Sequence, residues 1–540
     1  MQARTATRAD RLAMLGSRTF DLLVVGGGIT GCGIAREAAL RGLSVALVEQ
    51  DDFASGTSSR SSRLVHGGVR YLEHGHLNLV FESSRERRQL LEIAPHLVHP
   101  LEFVWPVYSG ARISLWKLGA GLLLYDALSL FRNVARHHRL TPAEVLEKEP
   151  ALEAAELVGG ALYYDAATND ARLTLANAIG ALEAGAVVLN HAAVTDLLMD
   201  GGRIAGATIQ DRLAGSAVRV RASVVVNATG PWSDDVRSLE TPGVPTVRGS
   251  KGSHIAVPRE RVGNRNALTL LSPVDGRVLF ALPAGANAII GTTETDTTAP
   301  PGEVRASNED VQYLLAAANA FFPAARLQPD DVVSAWAGIR PLLPIADDSA
   351  GAVTREHAIS ISAHGLVSIV GGKLTTYRVM ARDVVAAVLR VLRGRRVRLK
   401  PSAQPLPGGA IASVDELVEE VARATSDGVL ANHLATSFGS RWRDVWEEIE
   451  RPSGRDRVVD NLPYTVGELR YSLQHEMAYT LGDVLIRRTH IAFETLDHGE
   501  AVAERLAALA APIHGWDVAG ARAAVLDYRR EVTRMFSIDP

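Results

Sequence analysis

The chain has 540 residues, 47% hydrophobic and 22% charged, a balance that excludes global disorder and fibrous structure. Fifty-seven Lys and Arg against 61 Asp and Glu leave a net charge of −4, so there is no overall basic field for nucleic acid. A single cysteine, Cys32, excludes a disulfide framework and a cysteine-based zinc or iron–sulfur site, and fits a reducing compartment.

The first 18 residues carry Arg4, Arg8, Arg11 and Arg18 with no apolar run, which reads as a loose N-terminal tail rather than a signal peptide. Asp21–Val25 is a short apolar strand, Cys32–Arg41 an Ala-rich helix closed by Gly42, and Leu43–Val48 a second strand, together one βαβ unit. A Ser/Thr/Gly/Arg-rich loop covers 54–68, and a helix is predicted over 78–93. The segment Ile113–Phe131 is the most apolar, but Lys117 and Asp126 interrupt it, so it is no membrane span. It reads either as a buried helix with a solvated end or, with Trp116, Tyr125, Phe131 and the basic run that follows, as a segment lying in a membrane interface. His137 and His138 read as solvated.

Further on, the pattern predicts a helix over 172–184, a strand over 187–189, a hairpin over 194–209 turning at Asp200–Gly202, and a strand over 218–226. Strand-like pieces between 247 and 369 predict an antiparallel substrate-binding sheet interleaved with the nucleotide domain. Val367–Val370 is a strand, and Gly371–Tyr377 opens a helix reaching about Leu392. Pro401–Gly409 looks like a linker. Beyond it the pattern is helical, with capping-box spacing at Ser413–Glu416 and Thr465–Glu468. The expected division is therefore 19–400 and 401–540.

Gly26-x-Gly28-x-x-Gly31 sits between a strand and a helix, and Glu49 ends the second strand about 20 residues on. Gly26 allows the tight turn, Gly28 the approach of a pyrophosphate to the helix N-terminus, and Gly31 close helix–strand packing; Glu49 suits an adenosine ribose. The polar loop 56–68, the small-residue turn 227–230 and the late helix start at Gly371 favour FAD over NAD. The expected cofactor residues are Gly26, Gly28, Gly31, Glu49, Thr57, Ser58, Ser59, Ser62, His66, Gly67, Ala228, Gly230, Trp232, Gly372, Lys373, Leu374 and Thr375, with FAD held non-covalently. No residue pattern supports a metal site, and Cys32 is expected to pack inside its helix.

Gly26–Gly31, Thr57–Ser59, Leu64–His74, Asn227–Trp232, Lys251–Pro258, Ile290–Glu294, Gly338–Leu342 and Gly371–Arg378 together resemble the FAD-dependent, quinone-linked glycerol-3-phosphate dehydrogenases, over about residues 21–500. The resemblance implies a Rossmann-like FAD-binding domain interleaved with an antiparallel substrate domain, as in D-amino-acid oxidase, plus a helical C-terminal cap. It implies oxidation of sn-glycerol 3-phosphate to dihydroxyacetone phosphate, with electrons passed to membrane quinone. It also implies a cytoplasmic protein peripherally attached to the inner face of the cell membrane, with a homodimer among the expected states. By this resemblance Arg70, Arg340 and Lys373 hold the phosphate together with Tyr71, since fixed cations suit that group. Arg60 and Arg63 lie nearer the cofactor loop and are expected to meet FAD or solvent.

Hydride transfer to a flavin requires a base for the hydroxyl proton, and a histidine with a pKa near 7 suits this without tuning. His254 and His66 both stand in motif positions, with His254 slightly favoured; Lys373 is a second source of positive charge beside a reduced flavin. An oxygen-using glycerol-3-phosphate oxidase and a non-catalytic flavin-binding scaffold are the competing readings; an amino-acid oxidase is disfavoured by the basic set.

Overall fold

The computed structural model describes residues 6–131, 133–241, 243, 246–342, 357–394 and 398–540, without the side chains of Arg70 and His74. Two sheets organise the first 400 residues. The nucleotide sheet holds β1 (Thr19–Val25), β2 (Val45–Val48), β7 (Val187–Leu189), β8 (Ala192–Asp200), β9 (Arg203–Asp211), β10 (Ala217–Asn227), β17 (His357–Ile361) and β18 (Val367–Gly371). Its order is β17-β18-β10-β1-β2-β7, with the β8–β9 hairpin attached to β10. β1 pairs in parallel with both β2 and β10, as continuous apolar strands covered on two faces do. Helices α2 (Ile29–Ala39), α5 (Asp170–Glu183) and α7 (Tyr377–Arg393) cover one face. On the other, Leu23 and Val25 pack with Leu15 of α1 (Arg8–Ser17) and with the hairpin.

The N-terminal arginines therefore do not form a loose tail over 8–17. Thr7 and Asp10 make a reciprocal capping box, Arg8 pairs with Asp211 at 2.7 Å, and Arg11 is buried. Composition suggested solvation; specific acceptors on the hairpin override it.

The second sheet contains β3 (Leu64–Val65), β4 (Val98–Tyr108), β5 (His138–Leu140), β6 (Leu157–Thr168), β11 (Arg248–Pro258), β12 (Ala267–Leu271), β13 (Val278–Ala284), β14 (Asn287–Gly291), β15 (Thr295–Thr297) and β16 (Ser334–Leu342). Two expectations are corrected here. The sheet is not wholly antiparallel, because β12 runs parallel to β4. β17 and β18 belong to the nucleotide sheet, not to this one. β4 and β6 were not legible as strands: Pro100 and Pro106 interrupt one, and Gly159-Gly160 the other.

Helix α3 (Leu77–Ile93) and helix α4 (Leu115–Leu128) lie near β6, and helix α6 (Asn308–Phe321) packs on β11. α4 buries Leu118, Leu122, Tyr125 and Asp126, whereas Trp116 is 71% and Leu123 56% exposed, followed by exposed Leu130 and Phe131. The buried-helix reading thus holds for one face of α4, and the opposite face is apolar and exposed. No helix among the described residues is long and apolar enough to cross a membrane. His137 is not simply solvated: its backbone N–H and Nδ1 both meet the Asp126 carboxylate, the latter at 2.7 Å.

Residues 401–409 are not a free linker. Arg36 donates to the carbonyls of Gln404 and Pro405, Arg378 donates to that of Ser402, and Leu406 is buried. The helices that follow include α8 (Val414–Thr425), α9 (Gly428–Phe438), α10 (Trp442–Ile449), α11 (Val466–His475), α12 (Glu500–His514) and α13 (Val518–Phe536). Ser413 and Thr465 each cap their helix through the backbone N–H three residues on, but Glu468 turns instead to His433 at 2.9 Å. The last helices share a core with the second sheet, where Phe493 meets Trp336 edge-on at 5.1 Å.

A buried ion network ties the two parts together. Asp52, just beyond β2, accepts from Arg487 at 2.7 Å and Arg488 at 2.6 Å. Arg487 also reaches Asp483 at 2.9 Å and Glu531 at 2.7 Å. Replacing Asp52 by Asn leaves two buried guanidinium groups short of charge, and we expect a loss of roughly 3–5 kcal/mol, read as a lowered unfolding midpoint.

Candidate functional site

β1 ends where α2 begins, and the glycines there permit a contact that no side chain allows. A Cβ on Gly31 would lie 1.8 Å from the Gly26 carbonyl oxygen, so the helix start is pressed onto the strand end. Gly28 caps α2 without a side chain, leaving the first turn's N–H groups facing outward; the Ile29 N–H meets Ser58 Oγ at 3.0 Å. The Glu49 carboxylate accepts the N–H groups of Gly27 at 2.5 Å and Asp51 at 2.9 Å. Burial nevertheless pushes its pKa up to about 7. Cys32 is buried, with its thiol on the Gly27 carbonyl at 3.2 Å, and burial raises its pKa.

These residues open on a crevice of about 300 Å³. Gly26, Gly28 and Glu49 line one side, Ala228, Gly230 and Trp232 another, and Thr57, Ser58, Gly372, Lys373 and Leu374 its end. A helix start without a side-chain cap, a carboxylate at the crevice wall and glycine-lined walls match the demands of a dinucleotide, so the crevice fits FAD.

A second cavity of about 240 Å³ adjoins the first, and Thr57, Ser58, Gly372, Lys373 and Leu374 line both. Here lie His66, Tyr71, His254, Arg340, Thr375 and Ser62. Arg340 Nη2 donates to Thr292 Oγ1 at 3.1 Å. Lys373 Nζ stands 3.5 Å from the centre of the Tyr71 ring, which also stacks with the His66 imidazole at 6.5 Å. Phe103, Trp105, Tyr163 and Phe280 form an aromatic wall, with Tyr163 Oη bonded to Thr269 at 2.7 Å.

His254 enters from β11, opposite Trp336 of β16, and the two rings stack at 5.4 Å. Its Nε2 meets Ser62 Oγ at 2.8 Å, while Nδ1 is buried with no hydrogen-bond partner among the described residues. The expected pKa near 7 is not what this site provides. Burial first, then the charges of Arg340 and Arg63, lower it to about 3.

The expected residues therefore sort into groups. Ser62, His66 and Thr375 line the second cavity rather than the crevice. Gly31, Ser59 and Gly67 line neither: Gly31 is a packing contact, Ser59 is buried, and Gly67 sits behind the wall, its N–H on Asp165 at 3.0 Å. The Arg70 side chain lies outside the described residues; its backbone belongs to the turn Val69–His74. Arg60 lines the second cavity and is buried, and Arg63 packs over Phe493 at 4.8 Å, so neither is simply solvated. Sequence reasoning missed Thr292, Trp336, Asp165 and the aromatic wall. The alternation of Phe103 and Trp105 was the available signal, since period two puts both on one face of β4.

Asp52, His191 and Asp483 bring ligand-type atoms within 4.8 Å of one another, but Arg487 and Arg488 already bond the two carboxylates, which makes this an ion-pair network.

Comparison with known proteins gives concordant results. The family model "FAD dependent oxidoreductase" matches residues 21–378, and "C-terminal domain of alpha-glycerophosphate oxidase" matches 401–521. Glycerol-3-phosphate dehydrogenase 2 of Mycobacterium tuberculosis is 38% identical, over 98% of this chain and 90% of that one. Glycerol-3-phosphate dehydrogenase of Synechocystis is also 38% identical, over 89% of this chain and 90% of that one. The structure of glycerol-3-phosphate dehydrogenase from Bacillus halodurans complexed with FAD superposes with a TM-score of 0.81 at 32% identity, covering 99% of this chain and 98% of that one. With an amino-acid-oxidase-like FAD fold, a helical C-terminal domain and these relatives, the chain belongs to the FAD-dependent glycerol-3-phosphate dehydrogenase family.

Proposed function

We propose that this chain oxidises sn-glycerol 3-phosphate to dihydroxyacetone phosphate and passes the electrons to a membrane quinone. The observation that carries this reading is the gathering of Arg340, Lys373, His254 and His66 around one small cavity that shares a wall with the dinucleotide crevice. Gly26, Gly28, Glu49, Ser58, Gly230 and Gly372 would hold FAD non-covalently, and the bound flavin would supply the acceptor for a hydride from C2 of the substrate.

The remaining work falls to the chain. Arg340 offers a planar fork to the phosphate, and Thr292 fixes one of its nitrogens. Lys373 adds a second charge at the junction of the two cavities. Tyr71 completes this set. The aromatic wall excludes water from the reacting alcohol. His254 remains neutral at physiological pH because burial disfavours its cation. Held by the bond between its Nε2 and Ser62 Oγ, His254 is the favoured acceptor of the hydroxyl proton; His66 is the second candidate.

The exposed apolar face of α4 supports peripheral attachment to the inner face of the cell membrane by an otherwise cytoplasmic protein. Trp116, Leu123, Leu124 and Phe131 are exposed there, with Arg136 and Arg139 close in sequence. Oxygen as acceptor is the second reading, favoured by the match of 401–521 to a domain of alpha-glycerophosphate oxidase.

Anaerobic addition of glycerol 3-phosphate should bleach the bound yellow cofactor, and a quinone analogue should restore the colour. A cofactor that stays oxidised ends the proposal, and stoichiometric peroxide in air without quinone assigns the oxidase instead. Arg340→Ala should weaken substrate binding by about 1.5–3 kcal/mol, seen as a raised KM.

If His254 is the base, flavin reduction should hold its rate from about pH 8 down to about pH 5, because the imidazole protonates only near pH 3. A loss of rate centred near 6.5, the ordinary histidine value, assigns the proton to another group. By linkage, the unfolded chain takes up a proton that folded His254 refuses, so its contribution to stability falls as pH drops from 6.5 towards about 3. His254→Gln should flatten that part of the profile.

The chain should co-sediment with vesicles containing anionic lipid, and Trp116→Asp with Leu124→Asp should release it. Equal sedimentation of both proteins would remove α4 from the contact.

A further inference from the structure

Tyr125 lines neither cavity. It projects from the buried face of α4, and its ring meets Tyr163 of the aromatic wall edge-on at 6.4 Å. Its hydroxyl, however, reaches the turn that carries His66. Asp165 Oδ1 accepts the Tyr125 O–H at 2.7 Å, the Gly67 N–H at 3.0 Å and the Arg87 guanidinium. Arg87 also donates to Tyr125 Oη at 2.8 Å, which closes the arrangement. All four residues are buried, so each bond is shielded from water and the carboxylate is held by three donors at once.

One residue earlier, the same turn is gripped from another element. The His66 N–H donates to Thr375 Oγ1, and that hydroxyl lies at the same 3.2 Å from the His66 carbonyl oxygen. The turn has no slack towards α4 either: a Cβ on residue 67 would lie 2.2 Å from Tyr125 Oη. Only glycine fits at this closeness.

We infer that Tyr125, acting through Asp165, is a positioning residue that sets where the His66–Gly67 turn stands in the wall of the second cavity. The inference rests on the reading of that cavity as the place where glycerol 3-phosphate reacts. Tyr125 touches no reacting group in that reading; it acts on a backbone N–H, through a carboxylate.

Tyr125→Phe isolates the hydroxyl, because the ring and its packing remain. The test uses the full-length chain loaded with FAD, with two readouts: hydrogen–deuterium exchange of the peptide covering 64–69, and single-turnover reduction of the flavin by glycerol 3-phosphate without oxygen. We expect exchange at the Gly67 amide to quicken about fivefold, the worth of one net hydrogen bond. Reduction at saturating substrate should slow by about the same factor, with half-saturation moving less than about twofold. Tyr528→Phe deletes an equally buried hydroxyl, donated to the His498 carbonyl in the C-terminal helices, and should change neither readout. Unchanged exchange in Tyr125→Phe overturns the inference, as does faster exchange with an unchanged reduction rate or an equal response from Tyr528→Phe. A wild-type flavin that glycerol 3-phosphate fails to bleach defeats the functional reading itself, and the positioning role falls with it. A shift in unfolding midpoint alone would not support the role.

Discussion

Everything in this molecule depends on how closely α2 approaches the end of β1. The Gly26 carbonyl and Gly31 Cα come so near that a methyl group cannot pass between them. That approach aims an uncapped helix start along the crevice and brings Glu49, at the end of the neighbouring parallel strand, to its rim. The other walls come from places far apart in the chain. The turn after β10 and the turn after β18 lie beside the same strand end because β18, β10 and β1 are adjacent and parallel. A parallel sheet delivers the carboxyl ends of its strands to one edge, and there the chain concentrates its glycines and hydroxyls.

The second sheet contributes chemistry of another kind. Its strands carry His254, Trp336 and Arg340 on two neighbouring ribbons, while the aromatic wall comes from β4, β6 and β13. The result is an aromatic-walled, cationic chamber joined to a crevice that fits a dinucleotide. Low polarity around His254 and the nearby guanidinium groups act in the same direction, keeping the imidazole uncharged. Positive charge is thereby reserved for groups that cannot lose it at neutral pH, which suits the binding of a phosphate ester.

Much of this was legible in the amino-acid pattern. The βαβ unit with Gly26, Gly28, Gly31 and Glu49 was readable because each position has one steric or electrostatic task and a fixed spacing. The hairpin at Asp200–Gly202 and the helix after Thr376 were readable for the same reason. Strands β4 and β6 escaped because their prolines and glycines argue locally against a ladder that tertiary pairing nevertheless builds. The N-terminal helix escaped because Arg8 is matched by Asp211 and by carbonyls almost two hundred residues away. The low basicity of His254 was equally out of reach, since it arises from burial beside Trp336 and from charges on separate segments.

The stretch 401–409 has a further consequence. Its carbonyls are the acceptors for arginines of α2 and α7, and Leu406 is sunk among residues of α3 and α5. What composition marks as a hinge is a strap laced into the flavin-binding half. A gene cut at this point would leave unsheathed the apolar surface of α3 and α5 that Leu406 covers. The boundary that family comparison draws near residue 401 thus falls on a segment fastened to the first 400 residues by side-chain hydrogen bonds and by a buried leucine.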